Sequence, residues 1–268
     1  MILARIQEAA SRYPDKIAVQ MKAGDQHQQY TYRVLIQSVA SVARSLSANG
    51  INQGDRVGLL SENRPEWMIA YLAVVSVGAV IVPMDAQLTA KEVEVLLANS
   101  EAKGVFVSAA CRQKLPPHAS LVIISFDPGD GMPFSTMLTV HPDAALPPAP
   151  SANDLAALLY TSGTTGEPKG VMLSQGNLAS NLASIIKLNI IKHEDNLLCL
   201  LPLHHTYPAM ACMLLPLALG ATVTILNSLK GPDILSCMQE SMSGPFKLFR
   251  IVTVPPSASG SNMHAIAG

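Results

Sequence analysis

The chain is 268 residues long, 49% hydrophobic and 14% charged, with a formal net charge of −1. Typical soluble domains carry about 25% charged residues, so this composition excludes general disorder and a nucleic-acid-binding surface. The length suits one large or two ordinary domains, and the low charge predicts apolar surface that faces a partner or a missing portion of chain, with self-association expected.

In chain order, Ile2, Leu3, Ile6, Ala9 and Ala10 share one face of a short helix ending near Tyr13-Pro14. Arg5 and Glu8 interrupt these apolar residues, so no secretory signal is expected. Ile17–Met21 and Gln28–Tyr32 flank a turn at Ala23-Gly24-Asp25 and predict a hairpin. Arg33–Ala48 has a helical pattern that stops at Asn49-Gly50. Next come a strand at Arg56–Leu60, a helix at Pro65–Val77 with Trp67 in the core, and a strand at Ala79–Val82. Arg64 and Glu66 read as a local polar cluster without chemistry. Thr89-Ala90-Lys91-Glu92 is a capping box opening a helix to Ala98, and strands follow at Val105–Val107 and Leu121–Ser125.

Ala144–Pro150 reads as a connector between a first half, residues 1–143, and a second, residues 151–242. The second half predicts a strand at Leu155–Tyr160, a helix capped by Ser174 and running to Leu188, and a strand at Leu197–Leu201. A helix at Thr206–Leu219, a strand at Ala221–Leu226 and a helix at Pro232–Glu240 complete it; residues 243–268 have the composition of a tail. The alternation predicts an α/β fold of layered, mostly parallel sheets covered by helices. The apolar runs Leu155–Leu159 and Leu197–Leu201 predict central strands buried on both faces. Their C-terminal ends should open on one crevice, with Thr161 and His205 on the same side. No run is long and unbroken enough to span a bilayer, and a soluble, cytoplasmic chain is expected. Cys111, Cys199, Cys212 and Cys237 lack metal-ligand spacing and are expected to be buried thiols.

The densest chemistry lies in Tyr160-Thr161-Ser162-Gly163-Thr164-Thr165-Gly166-Glu167-Pro168-Lys169-Gly170. A strand that opens into a loop of glycines, hydroxyls and a lysine can hold a polyphosphate through backbone N–H groups, hydroxyls and charge. The spacing is not that of a P-loop, because Pro168 and Val171, five residues after Gly163 and Gly166, stand where the glycine of the Gly-Lys pair is required. A P-loop phosphotransferase is therefore excluded. Glu167 is expected to face solvent, since a carboxylate beside phosphates is unfavourable.

This loop, continuing into Val171-Met172-Leu173-Ser174, resembles the phosphate loop of the adenylate-forming (AMP-binding) superfamily. Tyr30-Thr31-Tyr32, Gly54-Asp55-Arg56-Val57, Ser61-Glu62-Asn63-Arg64-Pro65-Glu66-Trp67, Gly78-Ala79-Val80-Ile81-Val82-Pro83 and Leu201-Pro202-Leu203-His204-His205-Thr206-Tyr207 agree with it. The resemblance is greatest to fatty acyl-CoA synthetases and runs to about Met242, so residues 1–242 are similar to an incomplete N-terminal domain of such enzymes. It implies an acid–thiol ligase that joins a carboxylic acid, here a fatty acid, to AMP and then to coenzyme A. ATP and Mg²⁺ are implied with it. Thr161, Ser162, Gly163, Thr164, Thr165, Gly166 and Lys169 would hold the phosphates, with Thr165 a candidate magnesium contact. Lys169 and His205 would take catalytic roles, and His205 and Tyr207 would line the substrate pocket. His204 stands where relatives often carry an aromatic residue and is expected to be structural.

The pattern departs from the family late in the chain. The Tyr-Gly-x-Thr-Glu and Thr-Gly-Asp stretches and the C-terminal lysine that the resemblance implies are missing, as no tyrosine follows Tyr207 and no aspartate follows Asp233. A truncated chain, inactive alone, is therefore expected. The alternative is a non-catalytic nucleotide- or acyl-binding module that keeps the loop but not the reaction.

Overall fold

The alternating pattern resolves into two sheets in a computed structural model, which describes residues 2–23, 26–117, 121–139, 141, 143, 145–161, 168–242 and 249–251. Helix α1 (Ile2–Arg12) leads into the hairpin β1 (Ile17–Ala23) and β2 (Gln26–Thr31), and Thr31 caps α2 (Tyr32–Ala48) by accepting from the Val34 N–H. Strand β3 (Arg56–Leu60), helix α3 (Pro65–Ser76), β4 (Val80–Met84), α4 (Ala90–Asn99), β5 (Ala102–Val107) and β6 (Val122–Ser125) alternate as expected. The Thr89–Glu92 capping box at the start of α4 is formed. A short β7 (Met132–Pro133) and α5 (Phe134–Thr139), which the sequence pattern did not reveal, follow.

Beyond the connector come β8 (Leu155–Thr161), β9 (Lys169–Ser174), α6 (Gln175–Ile186), β10 (Asn196–Cys199) and α7 (Thr206–Pro208). After them lie α8 (Leu215–Leu219), β11 (Thr222–Ile225), α9 (Gly231–Met242) and β12 (Phe249–Ile251). Lys169–Ser174, to which the sequence pattern assigned no element, forms β9 antiparallel to β8, and α6 begins after the Ser174 cap as expected. The single helix expected over Thr206–Leu219 is broken by a π-helical turn at Ala209–Leu214. Pro216 accounts for the break: it cannot donate to the preceding turn and its ring crowds that turn. Widened turns of this kind often occur at functional sites.

The five-stranded sheet has the order β12-β10-β11-β1-β2, and the seven-stranded sheet the order β7-β6-β5-β3-β4-β8-β9. Every described pairing is parallel except β1 with β2 and β8 with β9. Each sheet draws strands from both sides of the connector. Helix α3 lies between the sheets, touching β1 of one and β3 and β4 of the other, and all twelve of its residues are buried. Its apolar surface has no polar face to offer water, which is why it fits only there. Trp67 is 1% exposed and stacks on Tyr71.

One expectation is corrected. β8 and β10 belong to different sheets, each one strand in from an edge. β10 is fully buried, whereas Leu155 is exposed and Leu158, Leu159 and Tyr160 are only partly covered. A continuous apolar run reports burial, but not which sheet supplies it. The four cysteines are free and buried.

Candidate functional site

In both sheets the parallel strands β3, β4, β8, β10 and β11 end toward the same region, where open α/β sheets bind ligands. The segments that leave these ends carry polar side chains: Ser61–Arg64 after β3, Asp85 after β4, Leu201–His205 after β10 and Asn227 after β11. Hydrogen bonds join them across the gap between sheets. Asn63 donates through Nδ2 to the Leu201 carbonyl at 2.8 Å and accepts at Oδ1 from the Leu203 N–H at 2.9 Å. Asn227 Nδ2 donates to the Asn63 carbonyl at 2.7 Å.

His205 is exposed and sits at the N-terminal end of α7, where its carbonyl accepts from the Ala209 N–H. The His204 and His205 rings lie 4.1 Å apart at 49°. Burial lowers the His204 pKa, the charge of His205 lowers it further, and Asp85, 3.7 Å away, opposes both. His204 therefore has an electrostatic partner as well as the packing role read from sequence. Tyr207 is half-exposed.

Below His205 is an apolar cavity lined by Tyr71, Leu159, Leu173, Leu203, Thr206 and Met210, among others. Leu159, two residues before Thr161, and Thr206, next to His205, share its wall, so the end of β8 and the histidine segment meet although their strands belong to separate sheets. The cavity volume is about 10 Å³, near the lower limit for one water molecule.

Lys169 opens β9, is exposed, and pairs in register with Thr161 at the end of β8. Ser162, Gly163, Thr164, Thr165, Gly166 and Glu167, with the Thr161 side chain, lie outside the described residues. Among the described residues, no group of three or more His, Cys, Asp or Glu side chains is placed to hold a metal ion.

Beside the site, Arg64 has more partners than its sequence neighbours suggest. It donates to Glu66 at 2.9 Å and to both Asp127 carboxylate oxygens at 2.9 and 3.1 Å, and it stacks over Phe126. Gln28 also donates to Glu66, and burial, reinforced by that carboxylate, pushes the Tyr30 phenol up to about 12. Sequence reasoning missed Asn63 and Asp85. The available signal was a polar residue immediately after a predicted parallel strand.

The model of the AMP-binding enzyme family matches residues 6–241. The chain is 32% identical to a probable CoA ligase, CCL9, of Humulus lupulus over 82% of this chain and 43% of that protein. It is 31% identical to 4-coumarate–CoA ligase 1 of Petroselinum crispum, over 81% and 42%. Among solved structures, the N-terminal domain of FACL13 from Mycobacterium tuberculosis aligns with a TM-score of 0.78 at 26% identity, covering 90% of this chain and 60% of that one. ATP-bound MatB from Rhodopseudomonas palustris aligns with a TM-score of 0.78 at 29% identity, covering 89% and 47%. The chain thus spans less than half the length of these curated relatives. No helix among the described residues is long and apolar enough to cross a membrane.

Proposed function

This chain belongs to the AMP-binding enzyme family, and from that premise we propose that it supplies the phosphate-holding and acid-facing part of a carboxylate-activating acid–thiol ligase. The observation that supports this most is the junction of β8 with the histidine segment. The strand that feeds the glycine- and hydroxyl-rich loop and the segment carrying His205 flank one cavity. In this reading Thr161 through Gly166 and Lys169 bind the ATP phosphates. Lys169 places a positive charge where β9 begins, and electrostatic holding of a developing negative charge is the usual core of such catalysis. His205 faces the acid and orients its carboxylate, with Tyr207 beside it. Magnesium would supply charge neutralisation in such chemistry, with Thr165 its proposed contact.

The acid is proposed to be a fatty acid. Its chain would enter only if the lining around Tyr71 and Met210 parts, because the cavity as it stands is nearly closed. A cytoplasmic protein is proposed with it. Coenzyme A is the proposed acceptor in the complete reaction. The 268-residue chain is itself proposed to bind ATP without completing turnover.

The test is ATP binding by calorimetry together with ATP–pyrophosphate exchange, using short and long fatty acids, coumarate and oxalate. ATP binding that is lost in Lys169→Ala and Thr165→Ala supports the reading, and no ATP binding at millimolar concentration overturns it. Exchange with an aromatic acid but no fatty acid would replace the proposed substrate class.

A further inference from the structure

We infer that Asn63 is a positioning residue for His205, setting the histidine segment of one sheet from a fixed post on the other. Its relevance to catalysis rests on the role proposed above for His205; the positioning itself does not.

The post is built from three consecutive residues after β3. Glu62 accepts from Ser108 Oγ at 2.8 Å, and Arg64 is held by Glu66 and Asp127, while Asp127 also accepts from the Ala109 N–H at 2.8 Å. These bonds tie the segment to the ends of β5 and β6 in its own sheet. Asn63, between them and only 9% exposed, reaches the other way. Its amide meets Leu201 and Leu203 as a neighbouring strand would, donating to one carbonyl and accepting from one N–H. The next two residues are His204 and His205, and the His205 N–H turns back toward the Pro202 carbonyl at 3.4 Å. The imidazole position is thus set two residues from a bridge that spans the sheets.

Among side chains in their usual charge state at neutral pH, only a primary amide carries a donor and an acceptor at this spacing. An ionised aspartate has the same shape but presents an acceptor to the Leu201 carbonyl, and alanine leaves the Leu203 N–H without its partner and the Leu201 carbonyl with only the weak Cys199 thiol. The residue type is therefore specified by the two backbone groups that it serves.

The experiment uses the full 268-residue chain and compares Asn63→Asp and Asn63→Ala with Leu35→Ala, a fully buried change in α2 that loosens the fold elsewhere. The readouts are thermal midpoint, the His205 imidazole resonances (assigned with His205→Gln) and the rate of His205 modification by diethyl pyrocarbonate. Both Asn63 variants should shift the resonances and raise the modification rate, whereas Leu35→Ala should lower the thermal midpoint without doing either. Unchanged resonances and rate in folded Asn63→Asp would overturn the inference, as would equal changes in Leu35→Ala. Asn63→Asp, which keeps the side-chain volume, carries the test where Asn63→Ala fails to fold. ATP added as a separate probe distinguishes the two readings: absent binding by the unmodified chain removes the catalytic role, while the imidazole readouts still decide the positioning.

Discussion

His204 Nε2 lies 3.7 Å from Asp85 Oδ2, with the imidazole 13% exposed and the carboxylate 42% exposed. The ring is the desolvated partner, and Asp85 at the end of β4 is its counter-charge across the junction of the two sheets. This asymmetry makes His204 the group whose protonation the fold resists.

The first prediction follows from its sign. The folded pKa of His204 is lowered, so the unfolded chain binds more protons as pH falls through about 6.5. Its contribution to stability is complete above that pH and declines toward the lower folded pKa. His204→Phe should flatten the fall in thermal midpoint below about pH 6.5, and Asp85→Asn should steepen it. Parallel curves for all three proteins would show that His204 is not the responsible group.

Arg64 is expected to matter more for stability than an exposed arginine would. Glu66 is 7% exposed, and removing the guanidinium leaves a buried carboxylate without its counter-charge, held only by neutral donors such as Gln28. Arg64→Met should cost roughly 3 kcal/mol, read from denaturant unfolding. Arg64→Met combined with Glu66→Gln should recover part of that loss. A cost below about 1 kcal/mol would place the pair among ordinary surface ion pairs.

Gly220 closes α8 with φ +81°, and a Cβ there would meet the Tyr13 ring at 2.6 Å. Tyr13 cannot yield freely, because it stacks on His193 at 5.0 Å. Gly220→Ala should therefore destabilise by about 1–3 kcal/mol through backbone strain alone, with the ring contact adding to it. ATP affinity should not change, since the glycine is remote from the proposed site; a weakened affinity at full folding would contradict that separation.

Self-association is predicted to run through β9. This edge strand exposes Val171 and Met172, on opposite faces, at 46% and 65%. Unpaired, apolar edges invite strand pairing, and a charge placed on them blocks it. Sedimentation of the chain over a concentration series should show association that Met172→Lys reduces. A monomer at all concentrations would remove β9 as an interface.

The local elements were legible because their signals are local. The Thr89–Glu92 box, the Ser174 cap, the Pro65 start and the alternation of β3, α3 and β4 depend on residues within a turn or two of one another. The phosphate-type loop was legible for the same reason, as its glycines, hydroxyls and lysine are consecutive. β9 was not legible, because Val171–Leu173 is a short apolar run that fits a helix as well as a strand, and the choice rests on pairing with β8.

By itself, then, the sequence determined the α/β class, most element positions, the candidate loop and the family. Tertiary structure alone decided that β8 and β10 lie in different sheets, that α3 is sealed between them, and that Asn63 and Asp85 meet the histidine segment. Asn63 and Leu203 are 140 positions apart, and their bond forms only after two sheets have stacked on α3. A run of apolar residues states how much surface must leave water. Which surface covers it is set by packing among distant segments, and periodicity within one segment carries no record of that choice.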